Sequence, residues 1–181
     1  FLPEEDQGYF FVNVQLPDGA SLNRTQAVMD QMHEVINKDA AIEDVIKITG
    51  FSLLTGTNSS NVGFAIVMLK PWEDRRHIDG IVADLQAQLS AVPSAMIMVI
   101  QPPSIAGLGN ASGFDLRIQA LDGQSPQELA QVSQGIIFAA NQHPQLNRVF
   151  TTFSASVPEI ELSIDRERAA LLQVPVSRIF N

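Results

Sequence analysis

The order of strands and helices predicted for residues 8–102 restricts the fold more than any other feature of the chain. Apolar runs predict strands, and apolar residues at helical spacing predict helices. In chain order, the predicted elements are strand 9–16, helix 21–37, strand 45–49, strand 62–70, helix 78–89 and strand 94–101. Ser21 stands at the N-cap position of the first helix. Two strand–helix–strand units in this order normally form an antiparallel four-stranded sheet with both helices on one face. The expected fold class is therefore α+β, a ferredoxin-like split βαβ sandwich (βαββαβ).

A second, smaller unit is predicted to follow a linker at residues 104–112. Its elements are strand 113–121, a helix that begins after residue 125, and strand 146–153. Ser125, Pro126 and Glu128 form a strong helix start, because they combine an N-cap serine, a first-turn proline and a capping-box glutamate. This is a half βαβ subdomain. Alone it exposes an apolar sheet edge, so we expect its other half to lie outside this chain.

Three further segments complete the prediction. Residues 52–61 are rich in Ser, Thr, Asn and Gly and are expected to form a loop. A short strand–helix segment is expected at 158–164 and 165–173. The acidic, proline-interrupted run at residues 1–7 has no initiator Met before it and is expected to be a linker from a longer protein.

Both faces of the predicted sheet are apolar, which is unusual for an isolated soluble domain. Strands 62–70 and 94–101 carry apolar side chains on both parities, whereas a sheet with one solvated face shows clean alternation. The second face is therefore expected to contact a neighbouring subdomain, an oligomer partner or an apolar ligand. Met68, Met96 and Met98 lie on these strands, and thioether side chains adapt to ligands of variable shape.

Composition and motifs disfavour several function classes. The chain of 181 residues has a formal net charge of −9, which argues against nucleic acid as a partner. It has no cysteine and none of the common nucleophile, phosphate-loop or zinc-protease motifs, so we expect neither an enzyme nor a cofactor. His33, His77 and His143 lack metal-ligand spacing and are expected to be surface or capping residues.

Six separate parts of the chain resemble, in family order, the C-terminal-half periplasmic loop of RND (resistance–nodulation–division) multidrug efflux transporters. They are 1–8 (FLPEEDQG) with 15–20 (QLPDGA), 24–26 (RTQ), 49–51 (TGF) with 61–63 (NVG), 69–75 (LKPWEDR), 102–105 (PPSI) with 113–115 (GFD), and 164–169 (IDRERA) with Leu172 and Val174. The hydrophobe/amphiphile branch is the more similar one.

The resemblance implies a domain map and a function. Residues 1–7 would be a linker from a membrane helix, 8–102 the first porter subdomain, 113–153 part of the second, and 157–181 the start of the docking subdomain. The whole protein would be a proton-driven inner-membrane pump whose periplasmic porter subdomains rock within a homotrimer. Its partners would be hydrophobic or amphiphilic small molecules, a periplasmic adaptor and an outer-membrane channel. The alternative is a stand-alone ferredoxin-like binding or assembly module.

The resemblance also implies a set of site residues. Substrate-binding positions would be Phe11, Asn13, Ile46, Ile48, Phe51, Leu53, Ile66, Met98, Ile100 and Phe150. The switch loop between drug pockets would include Ser52, Thr55, Gly56, Thr57, Asn58 and Asn61. The chain departs from the family pattern in having aliphatic residues at Ile46, Ile66, Met98 and Ile100, a more polar loop without Arg, and Gln173 in place of Gly. Fewer aromatic rings favour aliphatic amphiphiles over planar drugs.

Overall fold

Four antiparallel strands form one sheet in the order β2-β3-β1-β4. The computed structural model describes residues 5–103, 114–121, 123–146, 149–155, 164, 166–172, 175 and 178. The elements are β1 Tyr9–Gln15, α1 Leu22–Ile36, β2 Ile42–Ser52, β3 Thr57–Leu69, a 3-10 turn Trp72–Asp74, α2 Ile78–Leu89, β4 Met96–Ile100, α3 Pro126–Asn141 and α4 Arg166–Leu171. The strand order, with β3 between β1 and β2, is that of a ferredoxin-like split βαβ fold, so the predicted fold class is confirmed.

Helices α1 and α2 cover one face of this sheet and form the core with it. Phe10, Val12 and Val14 of β1 are fully buried and belong to the same cluster as Met29 of α1 and Leu85 of α2. These strand residues alternate along β1, as the period of two requires. The odd-numbered residues of β1 are therefore left for the opposite face.

The close approach of α1 to β3 depends on Gly63. A Cβ atom at this position would lie 2.4 Å from the Sδ atom of Met29, which is itself fully buried. At the helix start, the Ser21 side chain accepts a hydrogen bond from the Arg24 amide, which confirms the predicted N-cap. Together these two features fix where α1 begins and how near the sheet it lies.

Helix α3 also begins as predicted. Ser125 and Glu128 form a complete capping box, with Pro126 in the first turn. Of the short strand–helix segment, α4 is present at Arg166–Leu171, whereas the strand expected at 158–164 lies almost entirely outside the described residues.

The prediction of a strand on either side of α3 is wrong for the described residues. Residues 114–121 and 149–153 contain no strand, although both were expected to. In the first unit, β1 and β2 do not pair with each other, since β3 lies between them and bonds to both. A single strand–helix–strand segment therefore gives its two extended pieces no ladder partner, and an apolar alternating pattern alone does not make a strand.

The prediction of a loop over residues 52–61 is also wrong for most of its length. Strand β2 continues to Ser52, β3 begins at Thr57, and the turn between them is confined to residues 53–56. Gly56 has φ +66°, and its amide donates to the Ser52 carbonyl at 2.9 Å. Polar composition predicted a loop, but residues 57–60 are exposed, and Thr57 and Asn58 pair with the end of β2. Polar side chains are compatible with such a solvent-exposed strand.

The segment before β1 is fixed to the turn after β3. Both oxygens of the Asp6 carboxylate accept from the Arg75 guanidinium, each at 2.7 Å, and the Arg75 Nε donates to the Lys70 carbonyl at 2.7 Å. The Arg75 side chain is 1% exposed. Hydrogen bonding from Arg75 lowers the pKa of Asp6 to about 2. Asp6, which lies in the segment expected to be a linker, is therefore held against the sandwich by this ion pair.

Candidate binding face

The sheet surface opposite the helices is the candidate site. Two cross-strand rows build it: Ile48, Phe64, Asn13 and Met98 in one row, and Ile46, Ile66, Phe11 and Ile100 in the next. We call these eight residues the open face. Each row runs from edge strand β2 through β3 and β1 to edge strand β4, so directly opposed side chains lie close enough to touch.

Aromatic rings form a continuous line across this surface. The ring centroids of Tyr9 and Phe11 are 5.5 Å apart, those of Phe11 and Phe64 are 5.4 Å apart, and those of Phe64 and Phe51 are 6.4 Å apart. The first and last pairs meet edge to face. These distances lie in the range of favourable aromatic contacts. The open face therefore has aromatic character at its centre, and aliphatic side chains lie on both sides of it.

The aliphatic side chains at the edges remain accessible. Ile46 is 46% exposed and Ile48 is 41% exposed, whereas the helix-facing apolar residues of β1, β3 and β4 are buried. Met96, at the start of β4, is 41% exposed as well. Such neighbouring apolar side chains on one surface mark a binding or packing site rather than ordinary solvent-facing residues.

An irregularity in the hairpin brings Phe51 to this surface. Gly50, with φ +89°, is the one residue of β2 between the regular pair Thr49–Gly63 and the outer pair Phe51–Asn58. On β3, residues 59–62 lie between the same two pairs. The extra residues therefore lie on β3, the simple alternation of β2 ends at this irregularity, and the Phe51 ring contacts Phe64.

The hairpin is anchored at this irregularity to the other side of the sandwich. The buried Thr25 hydroxyl of α1 donates to the Ser60 carbonyl at 2.6 Å, and the Ser60 hydroxyl donates to the Ala20 carbonyl at 2.8 Å. The side-chain amide of Asn61 donates to the Leu16 carbonyl at 3.1 Å. Beyond these anchors, the Phe51 ring contacts Phe64 and the Ser52 hydroxyl donates to Asn13 Oδ1, so the end of the hairpin lies against the open face.

One polar side chain lies at the centre of the open face. Asn13 is 1% exposed, and its row neighbours are Phe64 and Met98. The Ser52 hydroxyl donates to its Oδ1 atom at 3.4 Å. Among the described residues, its Nδ2 atom has no hydrogen-bond partner. A buried amide nitrogen without a partner is rare in folded proteins.

The structure brings most of the predicted site residues together. Seven of the ten belong to the open face: Phe11, Asn13, Ile46, Ile48, Ile66, Met98 and Ile100. Phe51 joins them through its ring contact, and Leu53 lies in the hairpin turn. Phe150 lies after α3 in a segment without strand pairing and is 42% exposed, so no sheet register places it on this face.

Two residues of the surface were missing from the predicted set. Phe64 is 4% exposed and contacts two other rings, and Tyr9 begins the aromatic line. Both could have been found from the sequence, since Phe64 shares the parity of Ile66 and Tyr9 shares the parity of Phe11. The predicted switch-loop residues divide between the end of β2 (Ser52), the turn (Thr55, Gly56) and β3 (Thr57, Asn58, Asn61).

Two observations limit the chemistry of the described residues. They contain no cluster of three or more histidine or carboxylate side chains placed to hold a metal ion. The helices of this part of the chain also fall short of the length and hydrophobicity that crossing a bilayer requires.

Fold and site together define a ferredoxin-like α+β module whose sheet has one face in a core and one apolar face crossed by a line of aromatic rings. The sequence model of the AcrB/AcrD/AcrF family matches residues 1–181, and the chain belongs to that family. This confirms the resemblance to RND efflux transporters.

Individual relatives agree with this assignment. The chain is 37% identical to the multidrug/solvent efflux pump membrane transporter MepB of Pseudomonas putida, and equally to the toluene efflux pump membrane transporter TtgB of that species. In both cases the similarity covers 100% of this chain. It is 34% identical to the multidrug export protein AcrF of Escherichia coli, over 99% of this chain. The chain spans 18% of the length of each of these three relatives.

Proposed function

We propose that this chain is a periplasmic porter segment of a multidrug efflux pump and that its open face forms part of the substrate-binding surface. The observation that carries the proposal is the aromatic line from Tyr9 to Phe51, flanked by exposed isoleucines, on the face opposite the core. An accessible apolar surface with few polar groups suits hydrophobic or amphiphilic molecules.

The names of the relatives agree with this class of substrate. One is called a multidrug/solvent pump and another a toluene pump, so drugs, solvent and toluene are named among the compounds that relatives export. The mixture of aromatic and aliphatic side chains on the open face offers ring stacking at its centre and less directional contacts at its edges. We therefore propose a broad substrate range that includes aliphatic amphiphiles.

The proposed mechanism is transport by rigid-body motion. In the full pump, a proton-driven homotrimer of the bacterial inner membrane, the first porter subdomain (residues 8–102) would rock against its neighbours and alternately open and close the space over the open face. Residues 113–153 would contribute to the second porter subdomain, and residues 157–181 would begin the docking subdomain toward an adaptor and an outer-membrane channel. The sandwich core and the Asp6–Arg75 lock support motion of residues 6–102 as one body.

The Phe51→Ala variant in the full-length pump tests the site. A contact between two aromatic rings contributes about 0.5–1.5 kcal/mol in addition to the burial of their surface. If a dye loses such a contact with Phe51, its export should fall roughly threefold to tenfold. The measurement is dye efflux from preloaded cells that lack other pumps. Phe138→Ala is the matched control, since Phe138 lies on α3 and is 71% exposed.

Two results would contradict the proposal. If Phe51→Ala leaves the export of every dye unchanged at equal pump levels, the open face is a packing surface rather than a substrate site. If the isolated chain binds the same dyes as tightly as the full pump, it is a stand-alone binding module, the rival interpretation. A surface that forms only part of a pocket should bind far more weakly alone.

A further inference from the structure

Apolar packing does not explain why an amide side chain, that of Asn13, occupies the centre of the open face. It is central in β1, it is 1% exposed, and its cross-strand neighbours Phe64 and Met98 are apolar. An apolar side chain of similar volume would fill this position without burying an amide group. An amide at such a place is therefore informative about what the surface contacts.

The hydrogen bonding of Asn13 sets the direction of its amide. The Ser52 hydroxyl donates to Oδ1, and the Ser52 hydroxyl oxygen in turn accepts from the Thr55 amide at 3.4 Å. Oδ1 is thus directed toward the end of the hairpin. Nδ2, which can donate two hydrogen bonds, has no partner among the described residues. The free capacity of Asn13 is therefore that of a donor.

Access to this donor requires a local movement. Asn13 and Ser52 are both 1% exposed, so a ligand reaches Nδ2 only after neighbouring groups shift, and the hairpin end that carries Ser52 is one of them. The hydroxyl–amide contact between them is 3.4 Å long, beyond the usual range for a hydrogen bond from a hydroxyl, so it resists such a shift weakly. The anchors at Thr25 and Asn61 lie further along the hairpin and can persist while the end moves.

We propose that Asn13 Nδ2 donates a hydrogen bond to an acceptor oxygen of the exported molecule, such as a ketone, ester or ether oxygen. Its position within an apolar surface makes it a specificity-determining group that favours amphiphiles with an acceptor inside an apolar body over plain hydrocarbons. A donor left unpaired in an apolar site discriminates against ligands that cannot satisfy it. This inference rests on the proposed function, since it requires substrates to contact the open face.

Three fluorescent dyes with different polar groups provide the test, in cells that carry the full-length pump. Prodan has a ketone oxygen, phenylnaphthylamine has an N–H donor and no carbonyl, and diphenylhexatriene is a hydrocarbon. We expect Asn13→Leu to lower the ratio of prodan export to diphenylhexatriene export by roughly fivefold to thirtyfold, the effect of one buried hydrogen bond. The ratio for phenylnaphthylamine should not fall. If Asn13→Leu does not reach the membrane at the normal level, Asn13→Ala removes the amide without added volume.

Phe51→Ala separates failure of this inference from failure of the proposed site. If Phe51→Ala reduces export of all three dyes while Asn13→Leu leaves the prodan ratio unchanged, the site stands and the role of Asn13 is wrong. If the phenylnaphthylamine ratio falls instead of the prodan ratio, Asn13 presents its oxygen, and the donor role is wrong. If neither variant changes the export of any dye, both proposals fail.

Discussion

Replacing Asp6 by asparagine should destabilise the sandwich by an amount that its pKa predicts. Bonding to Arg75 lowers the pKa of Asp6 from 3.8 to about 2. Since one unit of pKa corresponds to about 1.4 kcal/mol, the ionised carboxylate contributes about 2 kcal/mol to folding near neutral pH. The variant also leaves the guanidinium of Arg75, 1% exposed, without its counter-charge, although an asparagine oxygen still accepts one bond. We expect a total loss of about 2–3 kcal/mol.

Urea unfolding of the 181-residue chain as a function of pH measures this effect. Because the pKa of Asp6 is lower in the folded than in the unfolded chain, the stabilisation is complete above pH 3.8 and disappears as the pH falls toward about 2. The wild type and Asp6→Asn should therefore differ near pH 7 and converge near pH 2. With a typical urea slope, the midpoint near pH 7 should fall by about 1–2 M.

Glu5→Gln is the matched control for this experiment. It removes one carboxylate from the adjacent residue, and Glu5 is exposed, so the change should stay within about 0.5 kcal/mol. Equal midpoints for Asp6→Asn and wild type near pH 7 would refute the reasoning. A difference that persists unchanged down to pH 2 would also refute it, because the loss would then not come from the ionised carboxylate.

Two further variants test how the sheet is held against α1. Gly63→Ala should lower the free energy of unfolding by about 1–3 kcal/mol, because the new methyl group would overlap Met29. Its control is Gly135→Ala in α3, where the methyl group meets open space and should raise the free energy of unfolding by at most about 1 kcal/mol. Thr25→Val should cost about 1–2 kcal/mol and speed amide hydrogen exchange in the hairpin, because it removes the buried hydroxyl bond to the β3 backbone. Thr49→Val removes an exposed hydroxyl bond and should change stability little.

The outcomes that would contradict these two predictions differ. For the glycines, unfolding midpoints that shift equally and in the same direction would mean that the approach of α1 to β3 is loose. For the threonines, hairpin amides that exchange at the wild-type rate in Thr25→Val would mean that this anchor does not restrain the hairpin.

Local signals in the sequence predicted the elements and their starts. The apolar periods of β1, α1 and α2 were sufficient, because each period matches the geometry of a single element. The capping box at Ser125 and Glu128 and the cap at Ser21 were recognisable because these hydrogen bonds join residues three apart in the chain. For the site, the family resemblance named Phe11 and Ile66, and the strand register places both on the face opposite the core.

Contacts between residues far apart in the chain could not be predicted from these local signals. The polar run at 52–61 is a hairpin because β2 supplies its partner strand, and residues 114–121 are not a strand within the described chain because no partner pairs with them. The irregular pairing between Thr49 and Phe51 brings the Phe51 ring against Phe64, and the alternation of β2 alone gives no sign of it. Proline, glycine and polar residues mark where the chain can turn, not which strands meet.

By itself, the sequence determined the repeated βαβ order, the two-sided apolar sheet and the membership of the efflux family, because these depend on local period and on motif order. Only the tertiary structure decided that Asp6 is paired with Arg75, that Phe51 completes an aromatic line, and that the Asn13 amide is buried with a donor that no other described residue accepts from. Each of these depends on the pairing and packing of elements far apart in the chain. The composition of a single segment does not contain that information.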